Sequence, residues 1–478
     1  MAASSRDVRS IHDIGRIDLV RRAGADRSQA LRVESHSIDF VPLAERYGTP
    51  RRLFTVWFSA NMTILGVALG TLGVQAGLSF AWTLAALILG NAVGTVFMAA
   101  HSAQGPQLGV PQMIQSRAQF GVRGAALPLL AVVATYVLYC AANGVLMQHV
   151  IAALMPIGPT GALLVFSCLT ALVAFIGYEL IHRLGALLTV ISSALFVAGA
   201  YLVWARHTGD AVSTPVSSAH FTYAAFMLTT TQAAAWSLSY GPYVADYSRY
   251  LPASVSAART FWYTGLGSFL GSVAIMAFGA YLAAMAPALA GNPGIGVPKL
   301  FGAAGPVAQA LIIVGVVQGN VLNLYSAYMS SVTIFSGVHG MQRIGRGTKF
   351  VIIVALTAAA GAIAAVARDN FQAYFADALN VMLYLLVPWS AINLADYYLV
   401  RHGRYNIPAL YSSAGEYGAY RWRTIGVYCL GIAIQIPFMQ LSFYDGVMAR
   451  WLGADVAWLP GLLVPGIAHL VAERGAAV

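Results

Sequence analysis

The chain has 478 residues, of which 59% are hydrophobic and 9% charged, with a mean hydropathy of +0.70. Soluble domains are about a quarter charged, so no water-soluble surface can be assembled from this composition, and the chain reads as an integral membrane protein. The net charge of +10 is scattered over loops rather than gathered on one face, which argues against a nucleic-acid partner and points to membrane topology as its origin.

Residues 1–52 are polar, carry ten arginines and have no apolar core before Leu53. They are therefore no cleavable signal peptide and are expected to form a cytosolic tail, attracted to anionic lipid. Beyond them, apolar runs of about twenty residues recur, the length a helix needs to cross roughly 30 Å of hydrocarbon. Spans are expected near 54–76, 81–103, 125–150, 161–181, 186–205, 219–241, 262–289, 303–336, 350–367, 374–400, 424–443 and 451–472. This predicts an all-α integral membrane fold of twelve transmembrane helices. Helices 1–5 fall in 53–205, helices 6–10 in 219–400 and helices 11–12 in 424–472, with a cytosolic loop at 401–423 and a cytosolic C-terminus at 473–478.

Charge supports that count. With both termini in the cytoplasm, only Arg206, Lys299, Arg368 and Arg450 of the 27 Lys and Arg fall outside, and a miscount of one span would scramble the asymmetry. The expected location is the plasma (cytoplasmic) membrane. Cys140, Cys168 and Cys429 lie in apolar spans at spacings that match no metal site or disulfide framework. No HExxH, GxSxG or P-loop is present, so no enzyme or ATPase is expected, and no catalytic residue or cofactor. Rings of acidic residues for an ion channel are also missing. Glu179, Asp377 and Asp396 lie near span ends, which suits a neutral cargo, and Asp246 is expected to pair with loop arginines such as Arg249.

The polar residues inside the spans are few and mostly amides, and each either glues helices together or touches a ligand. Span 1 reads "WFSANMTILGVALGTLG" and is polar at Ser59, Asn61 and Thr63. Span 3 carries "YVLYCAANG", where Tyr139 and Asn143 stand four residues apart on one helix face. Span 6 supplies Trp236 and then breaks at Ser239-Tyr240-Gly241-Pro242; span 8 clusters Gln318, Asn320 and Asn323 in "VQGNVLNLYS". Aromatics and amides on separate spans suit a flat heteroaromatic ligand, with rings stacked on its faces and amides paired with its edges. Interrupted helices at corresponding places in two halves mark a transporter site. Three G-x-x-x-G pairs, Gly66/Gly70, Gly90/Gly94 and Gly267/Gly271, either pack helices statically or let them slide.

Three stretches, "QLGVPQMIQSRAQFGVRG" from Gln107, "AWSLSYGPYVADYSRYLP" and "NVLNLYSAYMSS", together resemble the nucleobase-cation-symport-1 family, in particular its purine and cytosine permease branch. The resemblance implies a leucine-transporter-type fold with a five-plus-five inverted repeat and two C-terminal helices. It implies a cation-coupled symporter that imports a planar neutral nucleobase, such as cytosine or a purine, by alternating access. Carriage of another heterocycle (hydantoin, allantoin, uracil or a vitamin) and a non-transporting nucleobase receptor remain open. By position, the family's substrate residues fall on Tyr139, Asn143, Trp236 and Asn323, with Gln318 and Asn320 as further candidates. Sodium-hydantoin members carry tryptophan and glutamine where this chain has Tyr139 and Asn143, which implies a different ring or hydrogen-bond pattern.

The resemblance also places backbone sodium ligands at Ala60 and Thr63, joined by a carbonyl and two hydroxyls on span 8. Counted back from Asn323, the hydroxyl positions are Val317 and Gln318, and neither bears a hydroxyl. The coupling ion is thus expected to be Na+, held by other oxygens, or H+, with Glu179 and Asp377 as titrating candidates. The expected partners are the nucleobase, the coupling cation and the lipid bilayer.

Overall fold

A computed structural model describes the backbone of residues 38–176, 178–207, 221–340 and 345–474, without the side chains of 178–189, 369–373 and 474. Most of the expected N-terminal tail, the Glu179 side chain and the last C-terminal residues lie outside this description.

The described chain is helical apart from one two-stranded hairpin. Helix α1 (Arg51–Asn61) and α2 (Ile64–Gln75) meet at 62° across Met62 and Thr63. The sequence explains the break. Asn61 turns its amide back onto the Trp57 carbonyl at 2.7 Å, a local bond that competes with helix continuation. Thr63 is extended and caps α2, its hydroxyl accepting the Gly66 N–H at 3.4 Å.

There follow α3 (Phe80–Ser102), the short buried α4 (Gln112–Phe120), α5 (Ala126–Leu154), α6 (Pro159–Ile176) and α7 (Tyr178–His207). The second half begins with α8 (Tyr223–Leu238) and α9 (Gly241–Ser248), parted by the two-residue turn Ser239–Tyr240. Both turn residues keep right-handed helical dihedrals, so this interruption is gentler than the one between α1 and α2. Then come α10 (Ala257–Met285), α11 (Gly305–His339), α12 (Arg346–Val366), α13 (Phe371–Ala395), α14 (Trp422–Ala433) and α15 (Trp458–Arg474).

Seven helices are long and apolar enough to cross a membrane among the described residues, or eight with the bent pair α1–α2 counted as one span. Val190–Arg206 and Trp458–Glu473 are shorter apolar helices at the expected fifth and twelfth spans. The eleventh span expected at 424–443 needs correction: α14 ends at Ala433, and the hairpin β1 (Gln440–Leu441) with β2 (Tyr444–Asp445) occupies the rest. Pro437 explains the stop, because it offers no N–H and clashes with a continuing helix. Gln435 then donates to the Tyr384 carbonyl at 2.8 Å, the group left without its helical partner by Pro388 inside α13.

Helix α10 packs along α1, α2 and α3, α8 along α3, and α11 along α5. The glycine pairs lie at these crossings: a Cβ on Gly70 would stand 2.0 Å from the Met276 carbonyl oxygen, and one on Gly90 2.2 Å from that of Thr230. Backbones approach so closely that only glycine fits.

At one end of the bundle, buried Asp396 accepts from His469 Nε2 (3.1 Å), Arg401 Nε (3.2 Å), the Tyr405 hydroxyl (2.6 Å) and Gln119 Nε2 (2.8 Å). It thereby joins α13 to α15, to α4 and to the loop after residue 400. Asp246 accepts the backbone N–H of Gln112 at 2.8 Å, at the positive end of α4.

Candidate binding site

The α1–α2 break, the α8–α9 turn and the middles of α5 and α11 surround one small cavity. Tyr139 and Asn143 line it from α5, Trp236 from α8, Asn323 from α11, and Ala60 and Thr63 from the break. Four expected substrate residues and both expected cation residues are therefore brought together. No Asp, Glu, Lys, Arg or His lines this cavity among the described residues.

Its two principal rings touch. Tyr139 and Trp236 have centroids 5.7 Å apart at 85°, the edge-to-face arrangement that aromatic quadrupoles favour. A flat ligand lying parallel to one ring therefore meets the other edge-on. The expected sandwich with both ring faces is not the geometry present.

Trp236 is held from behind. Its indole Nε1–H donates to Asn61 Oδ1 at 2.6 Å, and the ring also meets Tyr240 at 6.1 Å and 87°. Tyr240 and Tyr243 complete the lining, and Trp57 packs on both, with centroids 5.5 and 5.8 Å away. The buried Tyr139 hydroxyl, next to Ser239, closes no hydrogen bond of normal length.

The amides divide into three roles. Asn323 lines the cavity, and its side chain makes no hydrogen bond within the described protein. Asn143 lines it too and donates through Nδ2 to Asn320 Oδ1 at 3.1 Å. Asn320 itself is 3% exposed and faces a smaller void behind α5, beside Cys140 and Thr170, rather than the main cavity. Gln318 does not line the cavity: Val316, Gly319 and Asn323 share the lining face of α11, and Gln318 points about 100° away from Gly319 at the 3.6-residue helical period. Gln318→Ala is accordingly expected to leave substrate Kd within about twofold in equilibrium binding to the purified protein, the small effect ordinary for sites away from the contact.

The cation position is incomplete. Ala60 O accepts the Tyr240 hydroxyl at a long 3.5 Å, while Thr63 O accepts the N–H groups of Gly66 (3.1 Å) and Val67 (3.4 Å). Helix α11 comes to Thr63 at Gly319, and Val317 presents only a buried aliphatic side chain. Two backbone oxygens do not make the oxygen cage that a hard cation requires. Asp377 accepts from Ser442 N at 2.9 Å and from its hydroxyl, outside the cavity lining.

Sequence reasoning missed Asn61, Tyr240 and Tyr243 as site residues. The two tyrosines carried a signal, since they stand four and seven residues after Trp236 and so continue its helix face. The Asn61 bond to Trp236 spans 175 residues, and no local pattern announces it.

Residues 40–459 match the profile of a family described as "Permease for cytosine/purines, uracil, thiamine, allantoin". The chain is 37% identical over 448 residues to YxlA of Bacillus subtilis, provisionally named a purine-cytosine permease, covering 92% of this chain and 96% of that one. It is 24% identical to the purine-cytosine permease fcyB of Emericella nidulans, over 92% of this chain and 88% of that one. Among solved structures it is similar to Mhp1, a nucleobase-cation-symport-1 family transporter, in a closed conformation with bromovinylhydantoin bound. The TM-score is 0.75 at 17% identity, covering 93% of this chain and 96% of the other.

Proposed function

This chain belongs to the permease family for cytosine/purines, uracil, thiamine and allantoin, the nucleobase-cation-symport-1 transporters, and from that premise we propose how its cavity works. It is a transporter, not an enzyme. The proposed activity is cation-coupled import of a neutral planar nucleobase, such as cytosine or a purine. The observation that carries it is the convergence of Tyr139, Asn143, Trp236 and Asn323 on one uncharged cavity beside the helix break.

In this reading the base stacks on Trp236, with Tyr139 closing one side edge-on and the amides of Asn143 and Asn323 meeting its N–H and C=O groups. Asn320 orients Asn143 from behind. One stack contributes about 1 to 3 kcal/mol and each net hydrogen bond about 0.5 to 1.5 kcal/mol. Such contributions are modest, consistent with a cargo that must be released again on the other side.

The proposed architecture is twelve spans with both termini cytoplasmic, built on a five-plus-five inverted repeat. Its support is the pairing of interruptions, α1–α2 opening the first group and α8–α9 the second. Base and cation bind between these broken helices and α5 and α11, and the two groups rock against each other. One positive charge moving inward across 100 mV supplies about 2.3 kcal/mol, enough to concentrate a neutral solute about fifty-fold. Sodium, which would need further oxygens beyond the Ala60 and Thr63 carbonyls, and a proton are the two candidate coupling ions.

The test is uptake into proteoliposomes of labelled cytosine, adenine, uracil and allantoin under imposed sodium or proton gradients. Accumulation of one base under one gradient is expected; failure of all four under both gradients removes the proposal. Asn323→Ala should weaken binding about 2- to 13-fold, the equivalent of one lost hydrogen bond, with normal membrane insertion. Competition binding on the purified variant checks this.

A further inference from the structure

Asn143 and Asn320 meet between α5 and α11, and the hydrogen bond that joins them has a direction. Asn143 Nδ2 donates to Asn320 Oδ1 at 3.1 Å, which commits the donor end of the Asn143 carboxamide to α11. Its Oδ1 makes no hydrogen bond within the described protein and is left as the acceptor that a ligand in the cavity can use. The amide behind is fixed in turn. Asn320 is buried, its backbone carbonyl accepts the Cys140 thiol of α5 at 3.9 Å, and its side chain borders the small void shared with Ser167, Thr170 and Thr357. Thr357 spends its hydroxyl proton on the Ile353 carbonyl at 2.8 Å, so it offers this void lone pairs only. An Asn320 amide with Nδ2 on the void side faces those lone pairs with a donor, whereas the reverse orientation would face them with oxygen. Asn323 has no such partner and can rotate to suit either edge of a base.

We infer that Asn320 is a specificity-determining positioning residue: it holds Asn143 as a hydrogen-bond acceptor, and the cavity thereby selects bases with an exocyclic amino group over isosteric bases with a carbonyl in its place. The inference rests on the nucleobase reading above and names the substrate class within it. Cytosine and uracil share an outline, as do adenine and hypoxanthine, and within each pair one amino donor is exchanged for one carbonyl acceptor. In a pose common to the pair, the amino group donates to Asn143 Oδ1. The carbonyl would oppose that oxygen, leaving two desolvated acceptors without a donor. Turning the Asn143 amide over to meet it would break the bond to Asn320 and set two amide oxygens against each other.

The experiment is equilibrium competition binding of cytosine, uracil, adenine and hypoxanthine to purified full-length protein. Within whichever pair it binds, wild type is expected to favour the amino base about tenfold or more, as a site does when the wrong ligand leaves its buried polar group unpaired. Asn320→Leu, of similar volume, and Asn320→Ala, which only extends an existing void, each free the Asn143 amide to turn. Both are expected to bring the ratio below about threefold, the discrimination of a site that can satisfy either edge. In an Asn143→Ala background, Asn320→Ala should change the ratio no further, because the two residues act through one bond.

If the Asn320 variants weaken both members of a pair by the same factor and keep the wild-type ratio, Asn320 merely packs and the inference is overturned. Equal affinity of the wild type for both members, or a preference for the carbonyl base, overturns it as well. Asn320→Ala keeps the test decisive should Asn320→Leu fail to fold. A wild-type protein that binds none of the four removes the nucleobase reading itself, which separates that failure from the failure of the Asn320 link.

Discussion

Trp236→Ala is expected to raise the substrate Kd by about 5- to 150-fold, the loss of one base–aromatic stack of about 1 to 3 kcal/mol. The ring is 3% exposed and forms a wall of the cavity against Tyr139. Its removal does more than open space. Asn61 Oδ1 loses the indole N–H that it accepts at 2.6 Å, leaving a buried acceptor unsatisfied beside the helix break. Isothermal titration of the purified variant measures the affinity, and chromatographic monodispersity shows whether the fold survives. A variant with wild-type Kd would place the base elsewhere.

The second large effect is on stability. Asp396→Ala should destabilise the folded protein by about 3 to 5 kcal/mol, the range found when one partner of a buried ion pair is removed. Asp396 is 1% exposed and accepts from four side chains; alanine would strand His469, itself fully buried, and leave Arg401 without its nearest carboxylate. The helices that it fastens, α13, α15 and α4, would lose their common anchor. Asp396→Asn, which keeps the shape and part of the hydrogen bonding, should fall between alanine and wild type. Thermal denaturation of the three proteins in one detergent tests the order, and an alanine variant melting with wild type would refute it.

Much of the site was legible because transmembrane helices make polar residues conspicuous. Tyr139 and Asn143 share a helix face by spacing alone, Trp236 precedes a Ser-Tyr-Gly-Pro run, and Ser59, Asn61 and Thr63 interrupt an apolar span; the chain turns or breaks at both places. The amide cluster on α11 was harder. Gln318, Asn320 and Asn323 are close in sequence, yet only Asn323 lines the cavity, while Asn320 supports Asn143 from behind and Gln318 turns aside. The end of the eleventh span was drawn too far for a local reason: apolar composition continues past Ala433, but Pro437 stops the helix and a hairpin follows.

By itself, the sequence determined residence in the membrane, the positions of most helices, the break in the first span and the uncharged character of the polar residues at mid-span. These follow from composition and helical period, which act over a few turns. Tertiary structure alone decided which amide faces the cavity, the perpendicular meeting of Tyr139 with Trp236, and the bond from Asn61 to an indole on a distant helix. The physical reason is rotational. A span's apolar pattern tells that it crosses the bilayer, whereas the direction of each side chain around its axis is settled only when neighbouring helices pack against it.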